Sequence, residues 1–125
     1  MQIEKKIINF EDERGSIRDI LIGKEVDAIT LITFKKGGVR GNHYHKKSIQ
    51  YSYIVSGKIL CATQKEGEPI ETHEVIEGDL ITHAEGEIHA FKALDDSVFL
   101  SLTKGPRKGD DYEDDTFRVE PKILS

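Results

Sequence analysis

The amino-acid sequence predicts an all-β fold, either a β-sandwich or a small barrel. Short runs rich in β-branched and aromatic residues follow one another along the chain, separated by glycine or charged turns. No segment shows the 3.6-residue hydrophobic period of an amphipathic helix. The pattern predicts strands at Lys6–Phe10, Ile17–Ile22, Ala28–Lys35, His43–His45, Gln50–Ser56, Lys58–Gln64, Glu71–Ile76, Leu80–His83, His89–Ala93, Val98–Thr103 and Phe117–Glu120.

The connections between the predicted strands are short. Ser56-Gly57-Lys58 has the composition of a tight hairpin turn, and Lys65-Glu66-Gly67-Glu68-Pro69 that of a longer loop. Neither a linker nor an internal repeat interrupts the pattern, so we expect residues 1–125 to form one domain. A chain of this length is long enough to bury a substantial core.

The composition argues against several classes of function. A net charge of -5 is unsuited to nucleic acid, whose phosphates require a basic face. No apolar run approaches the roughly 18 residues needed to span a membrane, and no apolar signal-peptide region follows residues 1–6. Cys61 is the only cysteine, so no intrachain disulfide forms, and we expect it to be a small buried hydrophobe. These features favour a cytoplasmic protein whose partner is a small molecule.

Three histidines and a glutamine form the most informative pattern in the sequence. His43 and His45 lie two residues apart on a predicted strand, and their side chains therefore point to the same face. His89 and the amide oxygen of Gln50 lie on other strands and can converge on that pair inside a barrel. Imidazole and oxygen ligands suit a divalent transition metal, so the pattern predicts a site for zinc, nickel, iron or manganese.

The residues around these histidines match the two motifs of the cupin family, which the chain resembles. In the first motif stand Gly37, His43, His45, Gln50 and Gly57, with glutamine in place of the usual glutamate. In the second stand Gly78, Ala84, Gly86, His89 and Ala93, with alanine in place of both proline and asparagine. The resemblance implies the cupin double-stranded β-helix, a jelly-roll barrel, with a metal pocket formed by His43, His45, Gln50 and His89.

Shorter segments resemble the cupins that act on nucleotide-linked sugars. Arg40-Gly41-Asn42-His43 is similar to an RGxH segment of that group, residues 10–17 to its D-x-RG opening, and residues 111–116 to its closing segments. The group includes sugar 3,4-ketoisomerases, dTDP-4-dehydrorhamnose 3,5-epimerases and the cupin domain of capsular polysaccharide enzymes. The resemblance implies that the chain isomerises or epimerises a sugar or a nucleotide sugar.

Three residues are candidates for a catalytic role, and for His43 and His45 the resemblance implies it. Chemistry beside a 4-keto group needs a base for the α-proton and a stabiliser for the enediolate. By motif position, His43 is the expected base in both enzyme types, whereas His45 matches only the ketoisomerases. The third candidate, Tyr112, lies in the tail at residues 104–115: if the tail forms a lid, it places Tyr112 over the barrel mouth as an acid or a stacking group, and otherwise the tail is a solvated loop. A metal bound by both histidines would leave neither free as a base, so the two hypotheses compete.

Residues near the motifs are expected to contact the substrate or to line the pocket. Arg40 can bind a diphosphate bidentately. Ser52 shares a strand face with Gln50 and brings a hydroxyl near the pocket, and Tyr44 belongs to the same substrate-contacting set. Of the two histidines outside the motifs, we expect His73 on the surface, and His83 on the surface or at the pocket rim.

Two other functional classes fit the same barrel. A metal-dependent oxygenase acting on a small molecule would use iron with an open coordination position. A non-catalytic module would bind a small ligand without turning it over. In each case we expect a homodimer, because a partner commonly covers the exposed edge strands of a small barrel.

Overall fold

The computed structural model describes residues 1–125 and contains twelve strands and one short helix. In chain order these are β1 (Gln2–Lys5), β2 (Phe10–Asp12), β3 (Gly15–Ile17), β4 (Ala28–Phe34), β5 (Val39–Tyr44), β6 (Ile49–Ser56), β7 (Lys58–Gln64), β8 (Glu71–Ile76), β9 (Asp79–His83), β10 (Ile88–Ala93), β11 (Ser97–Lys104), α1 (Asp110–Asp114) and β12 (Phe117–Arg118). No helix has the length and apolar character that a membrane span requires.

Two antiparallel sheets of five strands form the walls of the barrel. One has the order β1-β9-β6-β11-β4 and the other β12-β5-β10-β7-β8, while β2 and β3 pair separately. From β4 onward, successive strands alternate between the two sheets, except for the β7–β8 hairpin. This alternation confirms the predicted all-β jelly roll.

Alternate side chains of the strands point into the barrel and form an apolar layer, here called the floor. Its largest cluster of buried residues comprises Phe34, Ile54, Ile59, Cys61, Val75, Ile81, Phe91, Ala93 and Phe99. A second cluster lies on the other face of β6 and β11, where Tyr51, Tyr53 and Leu102 pack beneath Ile20 and Leu21.

A β-bulge in β5 determines which of its side chains face the interior. Arg40 pairs with Phe91 and His43 pairs with His89, so the register shifts between them. Residues three apart point to opposite faces of a regular strand, but the extra residue at the bulge returns both Arg40 and His43 to the interior. Asn42 occupies the bulge with a φ of 58°.

Position 41, next to this bulge, requires glycine both for its backbone conformation and for the space available. Gly41 has a φ of 95°, which side-chain-bearing residues rarely adopt. A Cβ atom at this position would lie 2.7 Å from the carbonyl oxygen of His89 and 3.0 Å from the Cα atom of Ala90. The close approach of β5 to β10 therefore depends on the absence of a side chain at residue 41.

The structure corrects several element assignments. Strands at Lys6–Phe10 and Ile17–Ile22 are wrong, because the N-terminal region forms three shorter strands that end at Ile17. Ile20 and Leu21 instead pack on the second apolar cluster from an irregular segment. The helix α1 was not expected, since its five residues are too few to show a helical period.

Replacing Gly41 with alanine should destabilise the protein more than the same change at Gly37. Gly37 has a similar φ of 88°, but a Cβ atom there would meet nothing within 4 Å. Both variants carry the roughly 1–2 kcal/mol cost of a left-handed alanine. Gly41→Ala should lose about 1–3 kcal/mol more because of the clash. Urea unfolding of the two variants measures the difference, and equal losses would contradict the proposed close approach.

Candidate functional site

A cavity of about 580 Å³ opens above the apolar floor of the barrel. Phe91 and Phe99 belong to both the core cluster and the cavity wall, and thus form its base. The wall is formed by Leu31, Ile32, Thr33, Val39, Arg40, Gly41, His43, Gln50, His89, Phe91, Phe99, Ser101, Arg107, Tyr112 and Arg118. The cavity therefore combines an apolar base with histidines and three guanidinium groups.

The structure brings the three motif histidines together. One ring nitrogen from each of His43, His45 and His89 lies within 4.8 Å of the other two. The ring centroids of His43 and His89 are 4.7 Å apart, because the two residues are paired across β5 and β10. His45 follows β5 directly, and its ring centroid lies 4.8 Å from that of His43.

Hydrogen bonds fix the orientation of two of these rings. The Nδ1 atom of His45 lies 2.8 Å from the carbonyl oxygen of Asp115, and the Nδ1 atom of His89 lies 3.2 Å from that of Glu87. A carbonyl oxygen only accepts hydrogen bonds, so both neutral rings carry their proton on Nδ1. Their buried Nε2 atoms have no partner and present free lone pairs. A backbone acceptor behind an imidazole is typical of metal-ligating histidines.

Burial keeps the three histidines neutral. Desolvation, followed by the charges of His45 and Arg118, lowers the pKa of His43 from 6.5 to about 4. Desolvation also lowers the pKa of His45, and lowers that of His89 well below its usual value. A neutral imidazole is what both a metal ligand and a general base require.

Gln50 and Ser52 lie together on β6. The amide Nε2 atom of Gln50 donates a hydrogen bond to the Ser52 hydroxyl at 3.1 Å. Gln50 lines the cavity, whereas Ser52 is fully buried and does not line it. In this orientation the Gln50 amide oxygen remains available as an acceptor or a ligand.

The two predicted substrate-contacting residues on β5 lie in different places. Arg40 lines the cavity, and its guanidinium group lies 5.2 Å from the ring centroid of Phe34 without an ion pair. Tyr44 does not line the cavity, because it alternates with His43 and His45 and stacks on Phe117 at 5.3 Å. The structure thus places Arg40, and not Tyr44, where it can contact a ligand in the cavity.

The C-terminal segment covers part of the cavity mouth. Tyr112, on α1, lines the cavity, and its ring centroid lies 5.4 Å from that of His45. The guanidinium group of Arg107 lies 4.0 Å from the centroid of the Tyr112 ring. Arg118, on β12, also lines the cavity and pairs with Glu113 at 3.2 Å. Sequence reasoning missed Arg107 and Arg118, since their positions depend on the path by which the chain returns to the mouth.

The remaining histidines have separate environments. His73 is exposed, as predicted. His83 is 1 % exposed and lies inside the barrel instead of on the surface or at the rim, with its ring stacked 4.8 Å from that of His89. Its Nε2 atom lies 3.8 Å from the Sγ atom of Cys61. Cys61 is completely buried, as expected, and burial raises its pKa to about 12.

Residues 30–102 match the family model of the cupin domain. A search of curated proteins found no match to the chain. Because the sequence positions of the two histidine motifs fall within the matched region, the family and the geometry of the cavity point to the same part of the molecule.

Several solved structures share the fold at low sequence identity. A dTDP-4-dehydrorhamnose 3,5-epimerase from Sulfolobus tokodaii superposes with a TM-score of 0.78 at 19% identity, covering 93% of this chain and 75% of that chain. QdtA, a sugar 3,4-ketoisomerase from Thermoanaerobacterium thermosaccharolyticum in complex with TDP, gives a TM-score of 0.79 at 19% identity, covering 95% and 88%. The capsular polysaccharide assembling protein CapF from Staphylococcus aureus gives 0.66 at 21% identity, covering 92% and 34%.

The lowered histidine pKa values predict a loss of stability in acid. Unfolded histidines take up protons near pH 6.5, whereas folded His43 does so near 4 and folded His83 near 3. The unfolded state therefore binds more protons as the pH falls from 6.5 to 4, and the free energy of unfolding should decrease over this interval.

Each such histidine contributes up to about 1.4 kcal/mol per pH unit. Urea unfolding between pH 8 and pH 4 measures this dependence, which should be weaker in the His43→Gln variant. A free energy of unfolding that is constant between pH 7 and pH 5 would contradict the burial of neutral histidines.

Proposed function

Because this chain belongs to the cupin family, and its cavity presents a neutral histidine, we propose that it isomerises or epimerises a nucleotide-linked keto sugar. The observation that carries the proposal is the position of His43. Its side chain lines the cavity, stays neutral and has no hydrogen-bond partner within the protein. It is therefore the histidine best placed to meet a substrate.

The proposed reaction needs only proton transfers. The imidazole of His43 takes the proton from the carbon next to the keto group, and the electron pair of the broken C–H bond moves onto the keto oxygen. Return of a proton to the opposite face of the same carbon inverts the centre. To move the carbonyl, a proton returns instead to the former keto carbon, while the neighbouring hydroxyl loses its proton and becomes the new carbonyl and the former keto oxygen gains a proton and becomes a hydroxyl. Neither route consumes an oxidant or a reductant.

The basic residues of the cavity favour a substrate that carries a diphosphate. Arg40, Arg107 and Arg118 come from different parts of the chain and line one cavity in a protein with a net charge of -5. Guanidinium groups bind phosphate oxygens bidentately. An anionic substrate would also offset the charge of Arg118, which lowers the pKa of His43. Binding would thus raise the basicity of His43 where the reaction needs it.

Tyr112 and Gln50 are the proposed partners of this base. The Tyr112 hydroxyl, at the cavity mouth, can supply a proton or a hydrogen bond to the keto oxygen. Gln50 can hold a sugar hydroxyl through its free amide oxygen. His45, with its Nδ1 proton engaged by Asp115, presents Nε2 as an acceptor and not as a donor.

A deuterium-exchange experiment tests this proposal. When the protein is incubated in D₂O with a dTDP-linked 4-keto sugar, mass spectrometry should detect deuterium at the carbon beside the ketone. The His43→Gln variant should exchange about 10²- to 10⁴-fold more slowly, because it lacks the base. His73→Gln is the matched control, since His73 lies on an exposed strand. Unchanged exchange in His43→Gln would exclude His43 as the base.

A second candidate is a cupin metal site, favoured by the unpartnered Nε2 atoms of His45 and His89. Together with His43 and Gln50 these residues offer three imidazoles and an amide oxygen, which fit a divalent zinc, nickel, iron or manganese ion. When bound, such an ion would polarise a substrate carbonyl. His43 would then act as a ligand, so a metal site and a histidine base are alternative uses of the same cluster.

Metal analysis distinguishes these alternatives. One metal ion per chain in the purified protein, lost in both His45→Ala and His89→Ala, would support the metal site. Gln50→Glu should then bind the ion more tightly, on the order of tenfold, because a carboxylate adds a negative charge. No metal after reloading with zinc, nickel, manganese and iron would contradict it. Oxygen uptake that is abolished by a chelator would indicate an oxygenase. Binding of a ligand without its turnover would indicate a sensor.

Homodimerisation remains a prediction. The edge strand β4 exposes Ile29 and Leu31, which are 70% and 65% accessible. A strand with one unpaired edge and exposed apolar side chains is the type of surface that a second copy of the chain commonly covers.

A further inference from the structure

Asp115 forms a buried junction between the C-terminal segment and the loop after His45. Its carboxylate is 3% exposed and accepts hydrogen bonds from the backbone N–H groups of Lys46 and Lys47 at 3.0 and 3.1 Å. The hydroxyl of Ser48 donates a further bond at 3.0 Å. Successive backbone N–H groups form a concave anion site, and bonds to an ionised acceptor are about twice as strong as neutral ones.

The backbone of the same residue contacts both His45 and the helix that carries Tyr112. Its carbonyl oxygen accepts the Nδ1 proton of His45 at 2.8 Å. Its N–H group, at the C-terminal end of α1, donates to the carbonyl oxygen of Tyr112 at 3.2 Å. One residue therefore holds the ring of His45 and terminates the helix that carries Tyr112.

His45 differs from His89 in this dependence. The acceptor for His89 is Glu87, only two residues away in the sequence, so the bond forms within one local segment. The acceptor for His45 lies 70 residues away and is available only when the C-terminal segment is seated. Gly105 also lies close to this loop, since a Cβ atom at residue 105 would be 2.9 Å from the carbonyl oxygen of Lys47. The absence of a side chain at Gly105 therefore allows the C-terminal segment to pack against the loop.

We infer that Asp115 is a positioning residue, whose carboxylate seats the C-terminal segment and thereby sets the tautomer of His45 and the place of Tyr112. When the carboxylate is removed, the loop at residues 46–48 loses its acceptor, and the end of α1 loses its attachment to that loop. The carbonyl oxygen then moves away from Nδ1, and the ring of His45 samples both tautomers. The effect on the His45 imidazole does not depend on the proposed function. Only the consequence for catalysis rests on the proposed function.

Nitrogen NMR of the histidine side chains tests the inference directly. In the unmodified protein, His45 should show one protonated nitrogen at Nδ1 and one unprotonated nitrogen at Nε2. Asp115→Ala should give averaged nitrogen signals for His45, while those of His89 remain unchanged. Asp114→Ala is the matched control, because the neighbouring Asp114 is exposed on the same helix and should alter neither ring.

The conservative variants keep the test decisive if Asp115→Ala fails to fold. Asp115→Asn retains one acceptor oxygen, and Ser48→Ala removes one donor, so both should shift the His45 signals in the same direction by a smaller amount. Where they are measurable, the rate of deuterium exchange or the affinity for metal should be about 10- to 100-fold lower in Asp115→Ala. A single unchanged His45 tautomer in the folded variants would overturn the inference, even if the protein proves to be an isomerase.

Discussion

The close contact between β5 and β10 is the constraint on which the site depends. Gly41 allows the two backbones to approach, and Asn42 takes up the extra residue of the bulge. Without this irregularity, Arg40 and His43 would lie on opposite faces of the strand. The amide of Asn42 also binds the backbone of Leu124, so the irregular strand anchors the end of the chain as well. The geometry of the candidate site therefore depends on strand register as well as on the chemistry of its side chains.

Most of the buried side-chain polar atoms that lack a hydrogen-bond partner belong to histidines inside the barrel. Three of the four buried side-chain atoms that lack a hydrogen bond are imidazole nitrogens, from His45, His83 and His89. A buried polar atom left unsatisfied costs about 1–3 kcal/mol, so such a cluster opposes folding. Its presence in a well-packed barrel is understandable if these nitrogens bind a ligand, since functional sites are where local stability rules are broken.

The sequence allowed the barrel and the convergence of its histidines to be predicted, because both depend on regular alternation. His43 and His45 share a face by their spacing alone, and the two motifs place His89 opposite them. The bulge could not be predicted in the same way, since Gly41-Asn42 also has the composition of a turn. His83 was misplaced because alternation does not distinguish an inward polar residue from an outward one. Asp115 carries no local signal, since its role depends on contacts with residues far away in sequence.

The position of Tyr112 gives the molecule an intrinsic optical reporter. The chain contains no tryptophan and four tyrosines, so its near-ultraviolet emission comes from tyrosine alone. Tyr51 and Tyr53 are buried on the outer face of the sheet, and Tyr44 is stacked against Phe117. Only Tyr112 lines the cavity, where its ring also contacts a guanidinium group. A molecule entering the barrel would therefore alter the fluorescence of one ring among four, and unlabelled protein can report on its own occupancy.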